Sequence, residues 1–399
     1  MDTMEGESPE APWLDTQGVT QAELMSDPYP LYREWRQTRP PLWQMDDGQW
    51  MAQDYLTVRR VLTESTFGKG ESGPTLPPEG YRHLPPLEPS MLETNPPVHT
   101  RLRSLVTHAF QPRHLQRLEP FITELTQTLL RPLLDDGSGD FVGTLAGPLP
   151  ATVIAELLGV PGQDQAMFRQ WSQAIVQGLD GTLPAEEQDA SQRASWDLAN
   201  YFHDLIQDKR KRSEPDLLTD LIRSEEAGDH LTAGELLSMA ELLLVAGHET
   251  TTNLLAMGLL TWIQHDFRDG TVDDWPMAVE EILRFTSPVQ FDGRRTLTVV
   301  QLGEVTLPEN TWITLAIGAA NRDPKMFFDP DALRLDRTPN PHLAFARGIH
   351  FCLGAGLARL EAVQAFPLIT RHQWKLEGFP LWNTNLVLRG MKRLPVRVQ

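Results

Sequence analysis

Apolar residues recur at three- and four-residue spacing in "LYREWRQT" (31–38), "TVRRVLTESTF" (57–67), "HTRLRSLVTHAF" (99–110) and "LQRLEPFITELTQTLLRPLL" (115–134). That spacing predicts amphipathic helices. Alternation marks strands only in "QWMAQ" (49–53) and in "RTLTVVQLGEVTLPENTWITLA" (295–316), where β-branched residues flank a turn at Gly303-Glu304. The pattern predicts a mainly α protein with small β-sheets, an α+β class. Residues 68–97, crowded with Pro and Gly, predict one long irregular loop. Loops of that length inside a compact domain are usually functional or disordered.

The strongest helix signal begins at "TAGE", where Thr232 can cap and Glu235 can complete a capping box. Running on to Ile263, such a helix is about 48 Å long at 1.5 Å per residue. Apolar residues occupy nearly every side of it, so it is expected to be buried, with "AGHETTTN" as a polar island at its middle. A membrane span needs about 20 consecutive apolar residues. Glu241, His248, Glu249 and Asn253 interrupt this one and argue against a span.

Composition narrows the picture. The 399 residues are 40% hydrophobic and 22% charged, as in an ordinary globular protein. A net charge of −19 with no basic stripe argues against nucleic-acid binding. The opening "MDTMEGESPEAPW" has neither a basic stretch nor an apolar core, so residues 1–24 read as a loose acidic tail with no signal or membrane anchor. No linker clearly divides the chain. One cysteine excludes an intramolecular disulfide framework and fits a reducing cytoplasm.

Three features need a common explanation. Cys352 stands alone in the Gly-punctuated "FARGIHFCLG" (345–354), Glu249 and Thr250 interrupt the apolar helix, and "EEILR" (280–284) sets Glu281 and Arg284 three apart on one helix face. Singly, each has an ordinary explanation. A lone cysteine is most often a small core hydrophobe, an E-x-x-R pair a solvated surface pair, and a Thr run a helix bonding back to its own carbonyls.

Together, and in this order, they resemble the cytochrome P450 family of haem-thiolate monooxygenases. "FARGIHFCLG" resembles the family's cysteine loop, with Phe345, Gly348, His350, Cys352 and Gly354 in register. "AGHETT" resembles its oxygen-activation motif, "EILR" its E-x-x-R pair, and "NPPVHTRLR" its haem-contacting helix. "DPYPLYREWR" and "GAANRDP" are similar to segments of soluble bacterial members. The resemblance runs from about residue 25 to the end and implies that residues 25–399 form a single domain.

It implies a triangular helical domain around a buried haem b, with Cys352 as axial ligand to the iron. A thiolate pushes electron density toward bound oxygen and favours O–O cleavage. His99, Arg103, Arg294 and His350 would meet the propionates; adjacent strand residues point to opposite sides, so only one of Arg294 and Arg295 can do so, and the family register favours Arg294. Ala246 and Gly247 would leave room above the iron, while Glu249 and Thr250 would relay protons. The pocket would be lined from 68–97, 168–203 and 287–291, with Leu87, Met91, Leu243, Val289 and Phe291 as candidates for holding a small hydrophobic substrate.

The implied activity is insertion of one oxygen atom from O2, with secondary metabolism as its setting. No G-x-G-x-x-G follows a strand, so electrons from NAD(P)H would arrive through a ferredoxin and its reductase, docking near Arg113 and Arg347. The alternatives are a peroxide-driven oxygenase and a haem sensor or carrier, neither of which calls for the acid-Thr pair. Several places depart from the family pattern. Ala332 stands where a third polar partner of the E-x-x-R pair is expected, leaving Arg334 as substitute or the triad incomplete. Ala346 replaces a more usual glycine, and Gly356 a frequent proline.

Overall fold

The computed structural model describes residues 20–70, 72–178, 184–212, 216–226, 231–268 and 271–399. Residues 1–19 of the expected tail, and 179–183 of the expected pocket segment, lie outside the described residues. The first helix, Gln21–Ser26, spans the position where the tail was expected to end and buries Leu24 and Met25.

The central helix runs Ala233–Gln264. Its start is set by the capping box: the Glu235 N–H donates to the Thr232 hydroxyl at 3.1 Å, and the Thr232 N–H to the Glu235 carboxylate at 2.9 Å. Helices Pro148–Leu158, Gln165–Gln177, Ala185–Lys211 and Ala355–Ile369 pack around it. Its leucines at 236, 237, 243, 244, 254, 255, 259 and 260 all belong to the main core. At about 1.5–3 kcal/mol for each buried side chain, that packing rather than helix propensity holds it in place. Among the described residues no helix is long and apolar enough to cross a membrane.

The largest sheet orders its strands Leu42–Gln44, Trp50–Ala52, Trp312–Ala316, Phe291–Thr296 and Phe67–Gly68. The Trp50–Ala52 strand pairs parallel to Trp312–Ala316, and the other neighbours are antiparallel. The hairpin Val300–Leu302 with Val305–Leu307 turns at Gly303, whose φ of +63° suits glycine. Beside the sheet lies an aromatic cluster of Tyr29, Tyr32, Trp35, Trp43 and Phe291.

The long loop is ordered by side chains at its ends and at its crest. Asn95 closes the ends, accepting the Lys69 N–H and donating to the Lys69 carbonyl, each at 2.8 Å. At the crest Leu84 packs with Trp196 and Ala199 of helix Ala185–Lys211 in a small cluster of their own. There the Tyr81 hydroxyl donates to Asp197 at 2.5 Å, and His83 Nε2 lies 2.7 Å from Asn200 Oδ1. The loop then crosses the start of the central helix. Gly234 permits this, because a Cβ there would overlap the Pro86 carbonyl oxygen.

Gly234→Ala must therefore lift the loop, at a cost of about 1–3 kcal/mol. We expect faster tryptic cleavage after the exposed Arg82. Cleavage at the parent rate would show that the loop yields without strain.

Candidate active site

The loop from Phe345 to Gly354 is folded by its own backbone and by its neighbours. The Cys352 N–H donates to the Phe345 carbonyl at 3.0 Å, and residues 348–350 form one 3-10 turn. Gly348 has a φ of +73°, and a Cβ there would run into the Leu62 carbonyl of helix Tyr55–Thr63, so only glycine fits. Ala346 also lies in the left-handed region, at φ +54°, where the more usual glycine would be unstrained.

After Cys352 the chain enters helix Ala355–Ile369, whose first N–H groups point back at the sulfur. Burial pushes the thiol above its usual range, while the N–H groups of Gly354 and Ala355 and the charges of Arg103 and Arg359 favour the thiolate. Cys352 has an exposed surface although protein surrounds it on nearly every side, as for a side chain lining an internal space. The central helix has the same character at its middle. Ala246 is exposed, and Gly247 and Thr250 half-buried, between fully buried runs at 243–245 and 251–262.

Glu249 and His248 sit beside this opening, both buried. Burial alone pushes the Glu249 carboxyl up to about 7. It also pushes His248 down to about 4, with the Arg169 charge adding to the effect, so the imidazole is neutral. His248 Nδ1 lies 2.9 Å from the Ser172 hydroxyl and its Nε2 lies 3.9 Å from Glu249. The Thr250 hydroxyl donates to the Ala246 carbonyl at 2.9 Å, leaving its lone pairs free to accept.

Four basic residues gather around His350. The His99 and His350 rings are 4.4 Å apart, and Nε2 of each is buried without a hydrogen-bond partner. Arg103 donates to the Phe351 carbonyl at 2.6 Å. Strand alternation separates Arg294 from Arg295: Arg294 is buried and pairs with Asp292 at 2.8 Å, whereas Arg295 lies over the Trp312 ring and bonds Asn310. The Arg294 charge reaches His350, which burial, together with that charge and those of His99 and Lys69, holds down near 3.

Lys69 was not evident from the sequence. It binds Asp292 at 2.9 Å across 223 positions, so no local pattern could have revealed it. A porphyrin with two carboxylates fits this chemistry: a thiol with N–H groups directed at it, small open residues at the middle of the central helix, and unpartnered imidazole nitrogens among cations.

Glu281 and Arg284 of helix Trp275–Thr286 are fully buried and paired through both carboxylate oxygens, at 2.7 and 2.8 Å. Their third partner is Arg337, not Arg334. Arg337 Nε reaches both Glu281 oxygens at 3.0 Å, while Arg334 offers only its backbone N–H at 2.9 Å and keeps its side chain outside. Ala332 takes part through its carbonyl, which accepts from Arg284 at 3.2 Å and from Arg337 at 3.0 Å.

The pocket candidates do not all come together. Met91 and Leu243 are buried in the main core, with Leu87 and Val289 packed against it. Phe291 instead packs edge-on to Tyr32, 6.1 Å away, in the aromatic cluster. Of the docking candidates, Arg347 lines a surface groove of about 450 Å³ with Leu56, Arg59 and Met326, while Arg113 is exposed beside His108 and His114.

The comparisons with known proteins agree with this chemistry. A family model described as Cytochrome P450 matches residues 275–378. The chain is 38% identical to cytochrome P450 monooxygenase PikC of Streptomyces venezuelae, over 99% of this chain and 96% of that protein. It is also 38% identical to the Vitamin D(3) 25-hydroxylase of Pseudonocardia autotrophica, over 96% of this chain and 98% of that one. Its fold superposes on testosterone-bound CYP109E1 of Bacillus megaterium with a TM-score of 0.84 and 32% identity, covering 95% of this chain and 99% of the other. Identity at this level along almost the whole length shows that the chain belongs to the cytochrome P450 family of haem monooxygenases.

Proposed function

We propose that the protein holds haem b through Cys352 and oxygenates a small, largely apolar substrate, drawing electrons from NAD(P)H through a ferredoxin and its reductase. The observation that carries this reading is the single thiol: open to an internal space, with two helix N–H groups directed at it and cations at the edge of the same site. Haem so ligated supplies the activation of O2, one atom of which enters the substrate while the other leaves as water.

The chain's own residues do the rest. His99, Arg103, Arg294 and His350 orient the group by its propionates. Ala246 and Gly247 keep the central helix from filling the space above it. Glu249, which holds a proton up to near neutrality, supplies protons from the buried side, and the Thr250 hydroxyl accepts and passes them on. Met91 and Leu243 supply apolar surface for the guest, in keeping with relatives whose names give testosterone as ligand and vitamin D3 as substrate. The Arg347 groove offers a ferredoxin both charge and apolar contact, since Leu56 beside it is 63% exposed.

The decisive test is the absorption spectrum of the reduced protein with carbon monoxide. A red-shifted Soret band is expected, and Cys352→Ser should abolish it together with turnover. A band unchanged in Cys352→Ser would refute thiolate ligation.

A further inference from the structure

Glu280 adjoins the buried Glu281 but serves another part of the molecule. Its carboxylate accepts a bidentate pair from Arg359, at 2.6 Å from Nε and 2.8 Å from Nη2, and a hydrogen bond from His342 Nε2 at 3.0 Å. The two donors reach it from either side of the cysteine loop. His342 lies three residues ahead of the loop, and its Nδ1 accepts the Ala344 N–H at 3.2 Å. Arg359 lies in the helix that follows Cys352, and its guanidinium sits over the Phe345 ring, 4.5 Å from the centroid.

One carboxylate on helix Trp275–Thr286 thus holds both ends of the loop that carries the thiol. Burial works to raise the Glu280 carboxyl, but hydrogen bonds from Arg359 and His342 outweigh it and hold it at about 2. Glu280 is a fixed negative charge at any working pH. Arg359 lies in the second turn of the helix that follows Cys352, over the ring of Phe345, whose carbonyl accepts the Cys352 N–H at 3.0 Å, so its positive charge stands against the loop that holds the sulfur.

We propose that Glu280 is a positioning residue for the cysteine ligand, setting through Arg359 how much positive charge the sulfur feels and therefore how readily the bound iron takes up an electron. The proposal rests on the reading of Cys352 as axial ligand. It assigns signs. Glu280→Gln keeps the shape and unmasks Arg359, so the reduced state is favoured and the potential rises. Arg359→Met keeps the packing on Phe345 and leaves Glu280 unneutralised, so the potential falls. A purely structural clamp has no reason to give opposite signs.

The experiment is a spectroelectrochemical titration of the haem-loaded full chain, its two single variants and the double variant, with the carbon monoxide band recorded in each. The singles are expected to shift the ferrous-to-ferric equilibrium in opposite directions by about threefold or more, and the double to return near the parent. Shifts in the same direction, or none, with the band retained would overturn the proposal alone. Absence of the red-shifted band from the unsubstituted protein would overturn the thiolate reading and this proposal with it. Should Glu280→Gln fail to load haem, Arg359→Lys against Arg359→Met makes the same comparison. Lysine keeps the charge and should keep the potential; equal shifts in both would overturn the proposal.

Discussion

Glu281→Gln is expected to cost about 3–5 kcal/mol of folding stability, the range for breaking a buried ion pair from one side. The carboxylate is fully buried and accepts from two guanidinium groups, from Asn340 at 3.2 Å and from the Arg334 N–H. A neutral amide cannot balance two arginines taken out of water, and its NH2 group would face donors. Arg337→Ala should cost nearly as much, because it strips one of the two cations and leaves the carbonyls of Phe328, Asp329 and Ala332 short of a donor. Arg334→Ala, whose backbone bond survives the change, should stay within about 0.5 kcal/mol. Urea unfolding of the three variants checks the order. An Arg334→Ala variant as unstable as Arg337→Ala would show that the assignment of the third partner is mistaken.

Glu249→Gln is expected to lower turnover by about 100-fold while making the protein more stable at alkaline pH. The first effect follows if the carboxyl passes protons, since a positioned acid typically contributes two or more orders of magnitude. Product formed per NAD(P)H consumed should fall with it. The second effect follows from burial. The folded carboxyl titrates at about 7 against an ordinary 4.5, so the folded state binds the extra proton between those values, and stability falls as pH rises through that window. Above about pH 7 the charged group costs roughly 3 kcal/mol, which glutamine removes; near pH 4 parent and variant should coincide. Glu241, also raised to about 7 by burial, remains in both proteins and does not affect the comparison. Equal stability at pH 8 would mean that Glu249 is solvated, and full turnover would exclude it from the proton path.

What could be read from the sequence was whatever local spacing specifies. Thr232 and Glu235 share a capping box three residues apart, Glu281 and Arg284 share a face for the same reason, and the turn at Gly303 falls between two alternating runs. Arg337 is different. It reaches Glu281 across 56 positions from a segment, 321–347, that has no helix or strand, where no period fixes which arginine points inward. Lys69 and Asp292 meet across a still longer stretch of 223 positions. Phe291 shows another limit: alternation says that a strand residue is buried, but not which of two cores receives it. The family resemblance supplied the cysteine loop in register, yet not the reason for Gly348, which is the approach of the Leu62 carbonyl.

The small cluster of Leu84, Trp196 and Ala199 shares no buried member with the main core. Parting the long loop from its helix exposes these side chains, with Tyr81 and Leu87 that pack against them, and frees Tyr81 and His83 from Asp197 and Asn200, a cost on the order of 3 kcal/mol. At equilibrium the parted form would make up roughly one molecule in a hundred. A guest able to enter only through that form would bind with its apparent affinity weakened about a hundredfold, so Leu84, Trp196 and Ala199 would also set the substrate concentration at which the enzyme begins to respond.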